Sequence, residues 1–422
     1  MSGINLMTEA DLADVIASQL LPRMPAKIGV AVSGGGDSMA LLVLLASFAK
    51  EHDIEVYAVS VDHGLREEAA NELKLVAELC EKLDVAHHIE FWSEWDGVGN
   101  LQSLARNARY QLIANWAASN EISFIALGHT ANDQAETLLM RLARGAGVDG
   151  LAAMAPHRLW QGITWLRPLL TADRETLRNF LRQKDLIWAE DPSNENRDFE
   201  RIRIRDALEV LAPLGITIQS LSDVAGNMAD ARAALDWHTF LAAKSACKIA
   251  YGIVEIDLKT YRTLPVEIAR RLLVKSIMWV NQSDYPPRRG AVEQAQSSIK
   301  KGVSSTLSGC QVTCKATHIY VFRELSAVRD QASGIGDLWD GRWRLTGVEN
   351  NLEFEVRPVG EVGIRSTEVW RDLGLPRDAV LSLPAVWCGD ELIAAPVLDQ
   401  DTEWQAQLEQ GEDTFFATLL SH

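Results

Sequence analysis

The feature that most limits what this chain can fold into is a fourfold alternation of short apolar runs with longer amphipathic stretches between residues 28 and 144. Ile28-Gly29-Val30-Ala31-Val32, Val56-Tyr57-Ala58-Val59-Ser60-Val61, His88-Ile89-Glu90-Phe91 and Phe124-Ile125-Ala126-Leu127 read as strands. Residues 39–50, 67–83, 101–118 and 133–144 read as the intervening helices. Strand then helix, four times over, predicts a parallel sheet with helices on its faces. Ligands on such sheets collect beyond the carboxyl ends of the strands. Three polar clusters begin where predicted strands end: Ser33-Gly34-Gly35-Gly36-Asp37-Ser38, Asp62-His63-Gly64-Leu65-Arg66 and Gly128-His129-Thr130-Ala131-Asn132-Asp133-Gln134-Ala135-Glu136. They are expected to converge on one rim.

The glycine-rich turn lies between a strand and a helix, so its backbone N–H groups and the helix N-terminus can surround an anion. No Gly-Lys-Ser/Thr follows it, and the Gly-x-Gly-x-x-Gly spacing of dinucleotide folds is absent. The bland alternative is a tight turn rich in glycine for packing. Asp37 adds information: a carboxylate beside bound phosphates is repulsive unless a divalent cation intervenes, which implies Mg²⁺ on the nucleotide. It also suits a helix N-terminus by charge. His129, Asp133 and Glu136 stand at i, i+4 and i+7, expected on one helix face. That set can hold a cationic substrate, tune a proton transfer or bind metal; a solvated polar face is the competing reading.

A chain of 422 residues is long enough for two or three domains. A Pro213-Leu214-Gly215 break, helical periodicity over 217–248 and 265–280, and strand-like alternation over 311–323 give the expected organisation. It is an α/β catalytic domain over residues 1–213 with a Rossmann-like parallel sheet, a small, mainly helical domain over 214–325, and a C-terminal α+β domain over 326–422. Net charge is −17. Residues 151–300 nevertheless carry +3 between flanks of −11 and −9, an asymmetry expected where one surface faces phosphates. The five cysteines, Cys80, Cys247, Cys310, Cys314 and Cys388, are scattered and odd in number, which fits core thiols in a reducing compartment. No basic stretch precedes an apolar run near Met1, and the strongest apolar run covers 11 residues, Met39 to Ala49. A soluble, cytoplasmic enzyme without membrane contact is expected.

The loop Ser33-Gly34-Gly35-Gly36-Asp37-Ser38 resembles the pyrophosphate loop of the N-type ATP pyrophosphatase superfamily, whose pattern is Ser-Gly-Gly-x-Asp-Ser. That resemblance implies cleavage of ATP between the α- and β-phosphates. Further segments are similar to the tRNA(Ile)-lysidine synthetase family: Val61-Asp62-His63-Gly64-Leu65-Arg66, Ala105-Arg106-Asn107-Ala108-Arg109-Tyr110, the run from Gly128 to Leu151, Arg167-Pro168-Leu169-Leu170 and Glu190-Asp191-Pro192-Ser193-Asn194. Together they cover about residues 28–205, in the family's order. The C-terminal third matches loosely, around residues 352–396. One departure is that Arg201-Ile202-Arg203-Ile204-Arg205 lacks the amide that the family usually carries there.

The resemblance implies a ligase that forms a C–N bond, with ATP and Mg²⁺ as cofactors. The wobble cytidine, position 34, of the CAU-anticodon isoleucine tRNA is adenylated at C2. The ε-amine of free L-lysine then displaces AMP, giving lysidine and moving codon reading from AUG to AUA. By the same resemblance Asp37 holds Mg²⁺, Asp133 and Glu136 receive the lysine charge, and Arg109 positions the nucleotide, the base or the developing charge. Ser33, Gly34, Gly35, Gly36, Asp37, Ser38, Asp62, His63 and His129 surround the nucleotide. Arg197, Arg201, Arg205, Arg288 and Arg289 are candidates for gripping RNA phosphates. Two rivals remain, a tRNA 2-thiolation enzyme of the same superfamily and a nucleotide-dependent RNA-binding protein without turnover; homodimerisation is left open.

Overall fold

The structure, a computed structural model, describes residues 7–21, 24–64, 69–92, 101–190, 200–347, 353–399 and 401–420. It divides into two compact units, residues 1–232 and 233–422.

In the first unit, α1 (Glu9–Leu20) precedes β1 (Lys27–Ala31), α2 (Gly36–Glu51), β2 (Glu55–Asp62), α3 (Ala69–Leu83), β3 (Ala86–Phe91), α4 (Leu101–Ser119), β4 (Phe124–Leu127) and α5 (Ala131–Ala143). The short α6 (Val148–Leu151), the hairpin β5 (His157–Trp160) and β6 (Ile163–Leu166), α7 (Arg174–Gln183) and α8 (Glu200–Leu211) follow. The sheet order is β3-β2-β1-β4-β6-β5, with every neighbouring pair parallel except the β5–β6 hairpin. The four βα units expected from the sequence are present. The hairpin was not anticipated: its β6 extends the parallel sheet and β5 closes that edge.

Period-two alternation explains how β1 becomes the centre. Ile28 and Val30 join a core with Leu12 and Ile16 of α1, Leu41 and Leu45 of α2, and Leu177 and Phe180 of α7. Gly29 faces the other layer, where Trp116 of α4 packs with Ile125 and Trp165. A Cβ on Gly29 would lie 2.4 Å from Ile125 Cδ1, so the strand can pass beneath that layer only because no side chain projects.

Pro213-Leu214-Gly215 does break the chain, with a 3₁₀ turn at Ala212–Leu214 and Gly215 at φ +87°. The compact unit nonetheless continues past it into α9 (Ile218–Ala246). Leu221 and Ala225 pack with Ala135, Leu138 and Leu208, which ties the start of α9 to the first unit.

The second unit is not mainly helical in its first part. β7 (Cys247–Ala250), β8 (Ile253–Asp257), α10 (Leu258–Thr263), α11 (Val266–Asn281), α12 (Arg289–Lys301), β9 (Ser305–Leu307), β10 (Cys310–Lys315) and β11 (His318–Arg323) build a five-stranded antiparallel sheet, order β7-β8-β11-β10-β9, carrying helices. Later strands form sheets of four and three. The expected division near residue 325 is absent because the last helix, Glu412–Thr418, places Phe415 and Phe416 in the core of Leu272, Ile277 and Val321. Trp339, Trp343 and Trp387 are buried core residues.

Candidate active site

Three strand ends of the first unit open into a cleft of about 1050 Å³. The glycine-rich turn forms one wall. Gly34 sits at φ +83°, the left-handed region that glycine occupies without strain. Ser38 Oγ accepts from the Ser33 N–H at 3.1 Å and donates to the Gly35 carbonyl at 2.9 Å, folding the turn onto the first turn of α2. Ala189 N–H donates to the Gly34 carbonyl at 2.9 Å and pins the loop from outside. No side chain caps α2. Its leading N–H groups therefore face the cleft with the positive end of the helix dipole, a cradle for phosphate.

Gly128, at the end of β4, lies against this loop: a Cβ there would stand 3.0 Å from both Ser38 Cα and Ser38 N. Backbone cannot yield as a flexible side chain can. Gly128→Ala should displace the cradle by tenths of an ångström and lower kcat/KM for ATP roughly 10- to 100-fold, since near-attack geometry is that sensitive. Steady-state ATP kinetics test this, and wild-type values would refute the close approach as a functional constraint.

Asp62, at the end of β2, accepts from the Gly64 N–H at 2.8 Å, and His63 packs edge-on to Trp92 with centroids 5.6 Å apart. Both line the cleft, as do His129, Arg106 and Arg109. His129 does not share a helix face with Asp133 and Glu136. It precedes Thr130, the N-cap of α5, and reaches the cleft from the loop. Asp133 Oδ2 accepts from the Thr130 N–H at 2.9 Å and from its hydroxyl at 3.0 Å, closing the start of α5.

One cation joins what the sequence kept apart. Arg174, the first residue of α7, donates from Nε to Asp37 Oδ2 at 3.1 Å, from Nη2 to Asp133 Oδ1 at 2.8 Å and from Nη1 to Glu136 Oε1 at 2.9 Å. Its backbone N–H is held by Asn132 Oδ1 at 2.9 Å. Arg205 Nε also donates to Glu136 Oε1, at 2.6 Å, and Arg201 Nε lies 3.7 Å from Oε2. Arg201 and Arg205 stand one turn apart on α8 and point into the carboxylate cluster. Both remain partly exposed and line the cleft. Ile202, where the family's amide is missing, is buried. Arg289 pairs with Glu293 at 3.0 Å on exposed α12, and Arg288 is that helix's N-cap residue. Arg197 lies outside the described residues, with Leu65, Arg66 and the Asp191-Pro192-Ser193-Asn194 loop.

Burial shapes the charges here. It raises the Asp37 carboxyl above the ordinary range, against the pull of Arg174. Burial also pushes Asp133 upward, but Arg174 and the Thr130 N–H outweigh it and hold the group below its usual value. His129 is driven down to about 3 by burial, assisted by Arg167, Arg106 and Arg109 and opposed by Asp133. It is therefore a neutral imidazole at working pH. An unfolded histidine takes up its proton near 6.5 and the folded one only near 3. Its contribution to stability is thus full above 6.5 and is lost as pH falls toward 3. His129 should stay unprotonated at pH 5 in an NMR titration; a midpoint near 6.5 would overturn this.

The PP-loop domain family matches residues 7–211. A tRNA(Ile)-lysidine synthase of Ruegeria pomeroyi is 47% identical over 98% of this chain and 98% of its own. The chain belongs to the tRNA(Ile)-lysidine synthase family. Proteins of that name from Wolbachia pipientis, 32% identical over 88% of each chain, and Hyphomonas neptunium, 36% identical over 69% of this chain and 80% of its own, agree. As in that family, the enzyme is an ATP-dependent ligase, and its substrate class is tRNA(Ile).

Sequence reasoning missed Arg174 in this lysidine synthase. No local spacing links residue 174 to 37, 133 and 136. Arg178 and Trp188 also line the cleft, and a Cβ on Gly36 would stand 3.3 Å from Trp188 Cδ1. The thiolation rival loses support. Cys80 is a core residue whose thiol is pushed up to about 11 by burial, the environment of a structural cysteine rather than a reactive one.

Proposed function

We propose that the cleft adenylates the wobble cytidine of a CAU-anticodon isoleucine tRNA and transfers lysine onto it. The observation that carries this reading is one concavity lined by a phosphate cradle and by the buried carboxylate of Asp133, with Glu136 fully buried behind it and joined to it through Arg174. The triphosphate lies on the N–H groups of the loop and the start of α2. The C2 oxygen of cytidine attacks the α-phosphorus and pyrophosphate leaves. The neutral ε-amine of L-lysine then attacks C2, the C2–O bond breaks, AMP departs and the amine loses its proton. Arg109 sits in the cleft wall, where it stabilises charge developing on the phosphate or the base. Asp133 and Glu136 receive the lysine ammonium, and a carboxylate of this pair takes up the proton that the amine gives up, as a general base.

Among the described residues no three His, Cys, Asp or Glu side chains gather into a metal site. One desolvated carboxylate beside a phosphate cradle suits a magnesium ion that arrives with the nucleotide and keeps mostly phosphate and water ligands. Asp37 would hold it, and the bound ion would supply neutralisation of phosphate charge. Among the described residues no helix is long and apolar enough to cross a membrane; a cytoplasmic setting, where tRNA, ATP and free lysine coexist, fits the reaction.

The test is incubation of the full chain with ATP, radiolabelled lysine and tRNA(Ile) transcript. Label enters the RNA with one AMP released per lysine fixed. Pyrophosphate release without label would point instead to another acceptor. Light scattering on the same preparation distinguishes monomer from homodimer.

A further inference from the structure

Three buried or half-buried carboxylates, from two different helices, are held by a single guanidinium. Glu136 is fully buried, yet its Oε2 accepts no hydrogen bond. Asp133 is 6% exposed and has its second oxygen committed to the cap of α5. Of the carboxylate oxygens that an incoming ammonium would use, Asp133 Oδ1 is occupied by Arg174, and Glu136 Oε1 is shared by Arg174 and Arg205. The third bond of the same guanidinium runs to Asp37, at the phosphate cradle. Arg174 itself lines the cleft.

We propose that Arg174 guards the amine site: its guanidinium stands in for the substrate ammonium until the triphosphate arrives. This rests on the function proposed above. The phosphates carry several negative charges and settle beside Asp37, within reach of a side chain that already touches that residue. They draw the guanidinium toward the cradle, which frees Asp133 Oδ1 and leaves Glu136 to Arg205 and Arg201. Arg174 cannot keep its bond to Asp133 while it serves the phosphates, so binding at the two sites is coupled, and by linkage the coupling is reciprocal. The guard also imposes an order. Lysine gains its carboxylates only when a nucleotide is present to activate the base, which keeps a plentiful amino acid from filling the site idly. Arg174 is thus a positioning residue with a second duty, closing the acceptor site against bare cations.

The experiment is calorimetric titration of L-lysine into the full chain, without nucleotide and with saturating magnesium and α,β-methylene ATP, which cannot be cleaved at the bond used here. For the wild type, lysine binds at least about tenfold tighter with the analogue, a coupling of about 1.4 kcal/mol. For Arg174→Gln, lysine binds without nucleotide about as well as the wild type does with it, and the analogue adds less than about twofold. A merely structural role would weaken lysine binding in both states. Arg174→Lys, which keeps a charge but cannot bridge three carboxylates, should show an intermediate coupling and decides the matter if the glutamine variant does not fold. The guard is refuted if the variants bind lysine no more tightly than the wild type in the absence of nucleotide while the wild type with analogue binds it well. If lysine binds to no form under any condition, the functional reading fails, and the guard with it.

Discussion

Asp37→Asn is expected to reduce tRNA-dependent ATP consumption more than about 1000-fold, about 4 kcal/mol of transition-state stabilisation, with tRNA affinity within about twofold of wild type. The amide keeps the volume and can still face the cleft. It cannot neutralise a divalent cation, and it no longer balances Arg174 Nε, 3.1 Å from the carboxylate. Asp37 is half-buried and its carboxyl is raised by that burial, so the folded protein bears a cost for placing it there. The substitution should therefore leave the melting temperature unchanged or slightly higher while chemistry disappears. Pyrophosphate release and filter binding of tRNA on one preparation separate the two effects. Retained ATP cleavage would remove Asp37 from the mechanism.

The second large effect belongs to Glu136. Glu136→Gln should raise the lysine KM roughly 100-fold, about 2.7 kcal/mol, and leave the ATP KM within about threefold. Glutamine matches the shape, but it offers an ammonium a dipole in place of a charge, and Arg174, Arg201 and Arg205 lose the carboxylate on which they converge. Breaking a buried ionic cluster by removing one partner also costs stability, on the order of 3–5 kcal/mol in the worst cases. A falling melting temperature should thus accompany the kinetic change, the reverse of the expectation at Asp37. Kinetics with lysine and ATP varied separately are decisive: parallel rises in both KM values would mean general damage to the cleft and would sink the assignment. Asp133→Asn makes a useful comparison, because its Oδ2 also caps α5 and its loss mixes binding with helix stability.

Much of the first unit was legible because its signals are local. A strand needs a few alternating apolar residues, and a phosphate loop needs glycine where φ is positive and a helix immediately behind it. Both are written in consecutive residues, so β1, the turn at Gly34 and α2 could be placed within a few positions. The β5–β6 hairpin escaped notice because it has only four residues per strand, with Arg158 and Trp160 interrupting any clean alternation. The middle of the chain was misjudged for a related reason. α11 announces itself by helical spacing, whereas β7 and β9 are too short for a period to show.

The sequence by itself determined the family: the loop over residues 33–38 with its Asp37 and the run from Gly128 to Leu151 carry the resemblance, and the reaction class comes with it. It could not determine which groups touch. Arg174 lies 137 residues from Asp37 and 38 from Glu136 along the chain, and Arg205 lies 69 from Glu136. Their meeting depends on α7 and α8 returning over the carboxyl ends of β1 and β4. Arginines that look alike in sequence thus part company in the fold, Arg201 and Arg205 turned inward to a buried carboxylate and Arg289 left in solvent. Pairing of distant charges is a property of packed helices, and only the tertiary structure sets it.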